Sequence, residues 1–171
     1  MMAENQDTKA EKNNRALEQN KKDEPLSHIA KVMIIGFFGG VFWSIIGYLA
    51  YFFNFTEMGP SLILQPWALG EWKNEPTGQW IGIIVIGLLS TGTALIYNVF
   101  LKNTKKIWPS ILFGVTLWFI VFYILNPIFP NLESVWDFSR NTVITTICLY
   151  ILYGVFVGYS ISYDAEQMKE A

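Results

Sequence analysis

The sequence predicts an all-α polytopic membrane protein, a four-transmembrane-helix bundle behind a disordered N-terminal tail. Two observations carry this. Four long blocks carry almost no charge, and the charged residues gather almost entirely in 1–31, 57–75, 102–106, 133–140 and 164–170. Each block is also close to the ~20 apolar residues that an α-helix needs to cross a ~30 Å hydrocarbon layer. Of the 171 residues, 52% are hydrophobic and 16% aromatic. A single core could absorb that share, but a soluble chain would not segregate its charges so sharply.

Residues 1–28 come first, with six acids and five bases among Asn and Gln, and Leu17 and Leu26 as the large apolar residues after the opening methionines. Such a segment buries too little surface to offset its ordering entropy, so disorder is expected. It has no apolar run after a short basic start, so it does not read as a signal peptide. The membrane domain is expected over 29–163. Its first span covers about 30–53, with Lys31 at the edge, where its stem can snorkel. The second covers about 80–100. The third covers about 109–125; it opens on Trp108-Pro109, since proline is tolerated in a first helical turn. It stops before Asn126-Pro127, because the residue ahead of a proline is driven from the helical region. The fourth covers about 142–162, with Asn141-Thr142 as a polar start. Residues 164–171 are expected to form a short tail.

Orientation follows from the bases beside the spans. Arg15, Lys21, Lys22 and Lys31 precede the first span, and Lys102, Lys105 and Lys106 sit between the second and third. The other loops carry one base each, Lys73 and Arg140. Both termini and the 102–107 loop are therefore expected in the cytoplasm, with 54–79 and 126–141 outside. The outer loops hold unusual numbers of tryptophans and aliphatic residues. Trp67, Trp72 and Trp136 form the candidate interaction surface on that side, since indole rings favour the headgroup level.

Several chemistries lack their residues. The bodies of the spans hold no ionisable group other than tyrosine and cysteine, which disfavours proton-driven transport. His28 is the single histidine and stands at the cytoplasmic edge, where it reads as an ordinary interfacial residue. No HExxH, GxSxG, paired intramembrane aspartates or P-loop is present. Cys148 rules out an intramolecular disulfide and reads as a packing residue. Glu57, Glu71, Glu75, Glu133 and Asp137 lack metal-ligand spacing. A net charge of −2 gives no reason to expect nucleic acid. The expectations are thus no enzyme, no catalytic residues, no cofactor and no metal.

Packing signals are more definite. Gly36, Gly40 and Ser44 recur at four-residue steps in the first span, and Gly154, Gly158 and Ser162 do so in the fourth. Residues four apart share a helix face, and small residues let membrane helices approach closely. The two stripes are expected to bring spans one and four together, within one chain or between copies. Ser90 and Ala94 make a smaller face near Gly87. The third span, with Gly114 among bulky side chains, is expected at the periphery.

Four stretches also carry a family resemblance: GFFGGVFWSIIGYLAYFFNFTE at 36–57, W-x-L-G-x-W-K at 67–73, NPIFP at 126–130 and RNTVITTICLYILYGVFVGYSIS at 140–162. On these the chain resembles the YqhR family of bacterial inner-membrane proteins, over about 28–165. The resemblance implies a multi-pass protein of the bacterial cell membrane. It brings no assigned biochemical function and no catalytic residues. The expected partners are the lipid bilayer and another membrane protein or a second copy of the chain. The expected role is a non-enzymatic accessory, assembly or interaction protein. The alternative is a small passive channel lined by Ser90, Thr91, Thr93, Thr146 and Tyr150; an intramembrane enzyme ranks last.

Overall fold

The computed structural model describes residues 27–67, 70–101, 106–129 and 135–170. Among them all regular structure is helical. Helix α1 spans His28–Phe52, α2 Pro76–Leu101, α3 Trp108–Phe119 and α4 Arg140–Glu170. Helices α1, α2 and α4 are long and apolar enough to cross a membrane; the apolar run Trp108–Ile124 is shorter. The bundle is therefore that of a helical membrane protein. Two ends can be distinguished: a terminal end, where α1 and α3 begin and α2 and α4 finish, and a cap end, which carries the longer connections.

Local chemistry accounts for the boundaries. Ser27 caps α1 by accepting from the Ala30 amide at 3.3 Å. The same helix ends on Asn54, whose φ of 59° is left-handed. The amide of Asn54 donates to Tyr51 O and that of Phe55 to Ala50 O, the paired bonds of a Schellman termination with asparagine in the usual glycine position. Pro76 opens α2, where its missing N–H costs nothing. Beyond Phe119 the third helix widens into a π turn over Ile120–Ile124, and Leu125 donates back to Ile120 O at 2.9 Å. Ser139 starts α4 by accepting from the Thr142 amide at 3.3 Å, so the helix begins ahead of the expected Asn141-Thr142. Thr142 serves the tertiary structure instead, its hydroxyl accepting from the Glu57 amide at 3.1 Å.

Three expectations change. The stripe of α1 faces α2, not α4: a Cβ on Gly36 would meet Ala94 Cβ at 2.6 Å, and one on Gly40 would run into Ser90. The stripe of α4 faces α3, where a Cβ on Gly154 would lie 2.6 Å from Ser110 O, and one on Gly158 would run into the Ser110 side chain. Each stripe thus closes on its hairpin neighbour, because the partner also offers small residues: Gly87, Ser90 and Ala94 on α2, Ser110 and Gly114 on α3. Helices α1 and α4 do meet, but through Gly39 against Phe156 and Val157. Ser44 is buried, and the Ser162 hydroxyl is buried without a hydrogen-bond partner. Finally, α4 continues to Glu170, so 164–170 prolongs the helix rather than forming a separate tail. Residues 1–26 of the expected disordered tail lie outside the described residues, and His28 already belongs to α1.

The hydrophobic core sits toward the terminal end, around Val32, Ala94, Tyr97, Val157 and Ile161. Tyr97 joins α2 to α3: its hydroxyl pairs with Ser110 Oγ at 2.9 Å, and its ring stands edge-on to Phe113 at 5.0 Å. Helix α3 otherwise packs on α4, at the periphery of the bundle.

Candidate functional site

Two regions of the bundle concentrate polar and aromatic groups. At the terminal end, the first turn of α1 brings His28 and Lys31 to one side, because residues three apart share a helix face. Asp164 approaches from α4 and Asn98 from α2. Lys31 Nζ donates to Asp164 Oδ1 at 2.7 Å, and His28 Nδ1 donates to Asp164 Oδ2 at 2.8 Å. The other imidazole nitrogen, Nε2, lies 2.7 Å from the Asn98 side-chain oxygen. One carboxylate therefore receives a base on each oxygen, and three helices are fastened at one point. A charge at a membrane boundary is costly alone and is retained when paired.

The Asn98 amide makes this clamp tolerant of either form of His28. With its oxygen toward Nε2 it accepts a hydrogen bond from an imidazolium N–H. Turned over, it presents its NH₂ to a neutral ring. In both cases Nε2 is engaged by Asn98 and Nδ1 by Asp164. Among the described residues, no group of three or more His, Cys, Asp or Glu could hold a metal ion. The clamp joins α1, α2 and α4.

Hydroxyl groups in the bundle interior are committed in the same way. Ser90 Oγ donates to Gly36 O at 2.6 Å and pairs with Tyr153 Oη at 2.6 Å; Thr93 reaches the same phenol at 2.5 Å. Thr91 donates to Gly87 O at 3.2 Å. Trp118 Nε1 donates to Thr146 Oγ1 at 3.0 Å, and the Tyr150 ring is edge-on to Phe122 at 6.0 Å. Of the residues expected to line a path, Ser90, Thr91, Thr93 and Thr146 are thus occupied in bonds within and between helices, and Tyr150 makes a ring contact.

The second region is the cap end. Two short 3-10 turns, Pro60–Leu64 and Glu71–Asn74, fold onto the start of α2. Gln79 fixes the first: its side-chain oxygen accepts from the Ser61 amide at 3.0 Å, in a buried position. Gly78 and Gly82 allow the close approach, since a Cβ on Gly78 would collide with Lys73 O and one on Gly82 with Pro60 O. The 54–79 connection is therefore a built cap. It turns Leu64 inward and leaves Trp67 82% exposed, with Trp72 at 39%. Trp136, on the other connection at this end, is 86% exposed. The fold spends almost none of the Trp67 or Trp136 surface on itself. Leu69, Leu132 and Glu133 lie outside the described residues.

These features frame the comparison with known proteins. The family model described as "Conserved membrane protein YqhR" matches residues 11–171. The chain belongs to the YqhR family. A relative in Bacillus subtilis (strain 168), named "Uncharacterized protein YqhR", is 48% identical over 149 residues, 87% of this chain and 84% of its own length. No solved structure matches. Membership of YqhR and the three long apolar helices agree that this is a membrane protein. Sequence reasoning missed the role of His28 and Asp164, which lie 136 residues apart. The usable signal was His28-x-x-Lys31 at one span edge and a lone Asp164 just past the end of another.

Proposed function

We propose that the chain is a non-enzymatic accessory or assembly protein of the bacterial inner membrane, holding another membrane protein against its cap end. The observation that carries this is the pairing of a fixed scaffold with unused indoles. Gln79 and the glycines of α2 anchor the cap, while Trp67 and Trp136 stay almost fully exposed. Rigid aromatic groups with large free surface are the residues that dominate protein contacts. In this reading both termini face the cytoplasm and the cap lies outside, which the distribution of Lys and Arg supports.

Site-specific photocrosslinking in native membranes tests it. A probe at position 67 or 136 should give a discrete protein adduct that a probe at lipid-facing position 88 does not. An adduct of twice the chain's mass would identify a second copy as the partner. Lipid adducts alone at all three positions would overturn the reading. Reporter fusions after Lys106 and Ala171 should read cytoplasmic and one near Lys73 external; a cytoplasmic signal at Lys73 would reverse the orientation.

A further inference from the structure

Between the end of α1 and the first turn of the cap lies an open depression of about 320 Å³. Tyr51, Met58, Ser61, Leu62, Gln65 and Gln79 line it. That volume is at the low end of small-molecule sites, so it admits one ring or a short polyol and not a folded peptide. The wall is mainly polar, yet none of these side chains is charged. Two carboxamides and a phenol provide both donors and acceptors. Phosphate and carboxylate groups are held by cations with charge-assisted bonds, and an ammonium group by an anion or a cage of several aromatic rings; the lining has no charged side chain, and Tyr51 is its one ring. Met58 and Leu62 add a small apolar surface, suited to the C–H face of a ring.

The wall is also preorganised. Gln79 is buried and its oxygen is fixed by the Ser61 amide. A Cβ on Gly59 would stand 2.5 Å from that oxygen and 2.8 Å from Nε2, so the chain passes directly over the amide. Around the depression Phe52, Phe53 and Trp80 are exposed, and Trp80 leans on Tyr48 at 6.2 Å. Aromatic residues at the end of a membrane helix mark the headgroup level, so the depression opens where lipid headgroups lie.

We propose that this depression binds an uncharged polyhydroxyl group, a glycosyl or polyol ring, carried by a lipid headgroup or free in solution. Trp67 and Trp136 are not among its lining residues, so this site and the protein-docking surface stand or fall separately. The test uses the full chain in nanodiscs of phosphatidylglycerol containing equal small amounts of monoglucosyl diacylglycerol and unglycosylated diacylglycerol. Native mass spectrometry then reads which lipid stays bound. The glucosyl lipid should be retained at least tenfold over diacylglycerol. Leu62→Trp, which fills the depression from its apolar wall, should abolish the preference. Tyr51→Phe, which removes one hydroxyl at nearly constant volume, should reduce it several-fold with the helical circular dichroism unchanged. Methyl glucoside at millimolar concentration separates the sources. Displacement of the lipid shows that the ring alone is read, whereas retention shows that the ring is read on its lipid. Equal retention of both neutral lipids, enrichment of phosphatidylglycerol, or an unchanged preference in Leu62→Trp would overturn the proposal.

Discussion

The two ends of the bundle solve one problem with opposite chemistry. At the terminal end, α1, α2 and α4 are tied by a carboxylate with a base on each oxygen and an amide behind one of those bases. At the cap end the ties are neutral: the Gln79 carboxamide holds the Ser61 amide, and the Thr142 hydroxyl holds that of Glu57. A charged clamp binds its members to one another, because removing one leaves the rest unpaired in a poor solvent for charge. A neutral tie is local, and its loss costs about one hydrogen bond. The terminal end should therefore fail as a unit and the cap end piece by piece.

Both ends presuppose the glycine interfaces between them, and the largest effects belong there. A Cβ at Gly114 would collide with Tyr150 O, and one at Gly158 would separate Ser110 from Tyr97. Gly114→Leu and Gly158→Leu should each cost about 3 kcal/mol through overpacking, read as loss of monodisperse protein after detergent extraction; Gly40→Leu should follow them. Wild-type yield from all three would remove the packing account.

Next comes the clamp. Asp164→Ala should lower stability by about 1–2 kcal/mol, less than a fully buried ion pair because Lys31 is partly exposed. Thermal unfolding in nanodiscs measures this. The sharper variant replaces His28, Lys31 and Asp164 together by Leu, Met and Leu. If the cost comes from stranded charge, the triple variant should melt above Asp164→Ala. A triple variant that melts lower would show that the three groups act independently.

At the cap end, Gln79→Leu strands the Ser61 amide and should cost about 1–2 kcal/mol. Hydrogen exchange over 58–66 should rise, with little change at residues 28–35. Rapid exchange at both ends would erase the contrast. The smallest effect is expected at Ser90→Ala, about 0.6 kcal/mol, the usual worth of a hydrogen bond between membrane helices.

The helices themselves were legible because each is an unbroken apolar run between charged segments, and a bilayer leaves such runs few alternatives. The small-residue stripes were legible as sites of close approach. Their partners were not, since Gly36 and Gly40 specify a flat face without specifying which flat face meets it. The complementary pattern of Gly87, Ser90 and Ala94 held that information, one helix further along. The clamp was the least legible. His28 carries no local sign that its partner waits 136 residues away, and the topology must bring α1 and α4 side by side before the pair exists. What fixes the cap was hidden for a different reason. Pro60 and Pro66 punctuate the loop, but only the fold shows Gln79 bonded to the Ser61 amide.

The short third helix carries a consequence for the surrounding lipid. Trp108–Ile124 comprises 12 residues of α-helix and five of π turn, roughly 25 Å of apolar length at ~1.5 Å per residue. Helix α1, with 25 residues, offers roughly 38 Å by the same measure. A long apolar helix fits a hydrocarbon layer of ~30 Å by tilting and a short one by drawing in the lipid beside it, each at fractions of a kcal/mol per Å. The bundle thus presents a short apolar flank on the α3 side and a long one on the α1 side. A bundle with unequal flanks has a direction in the plane of a membrane, one that its net charge of −2 does not supply.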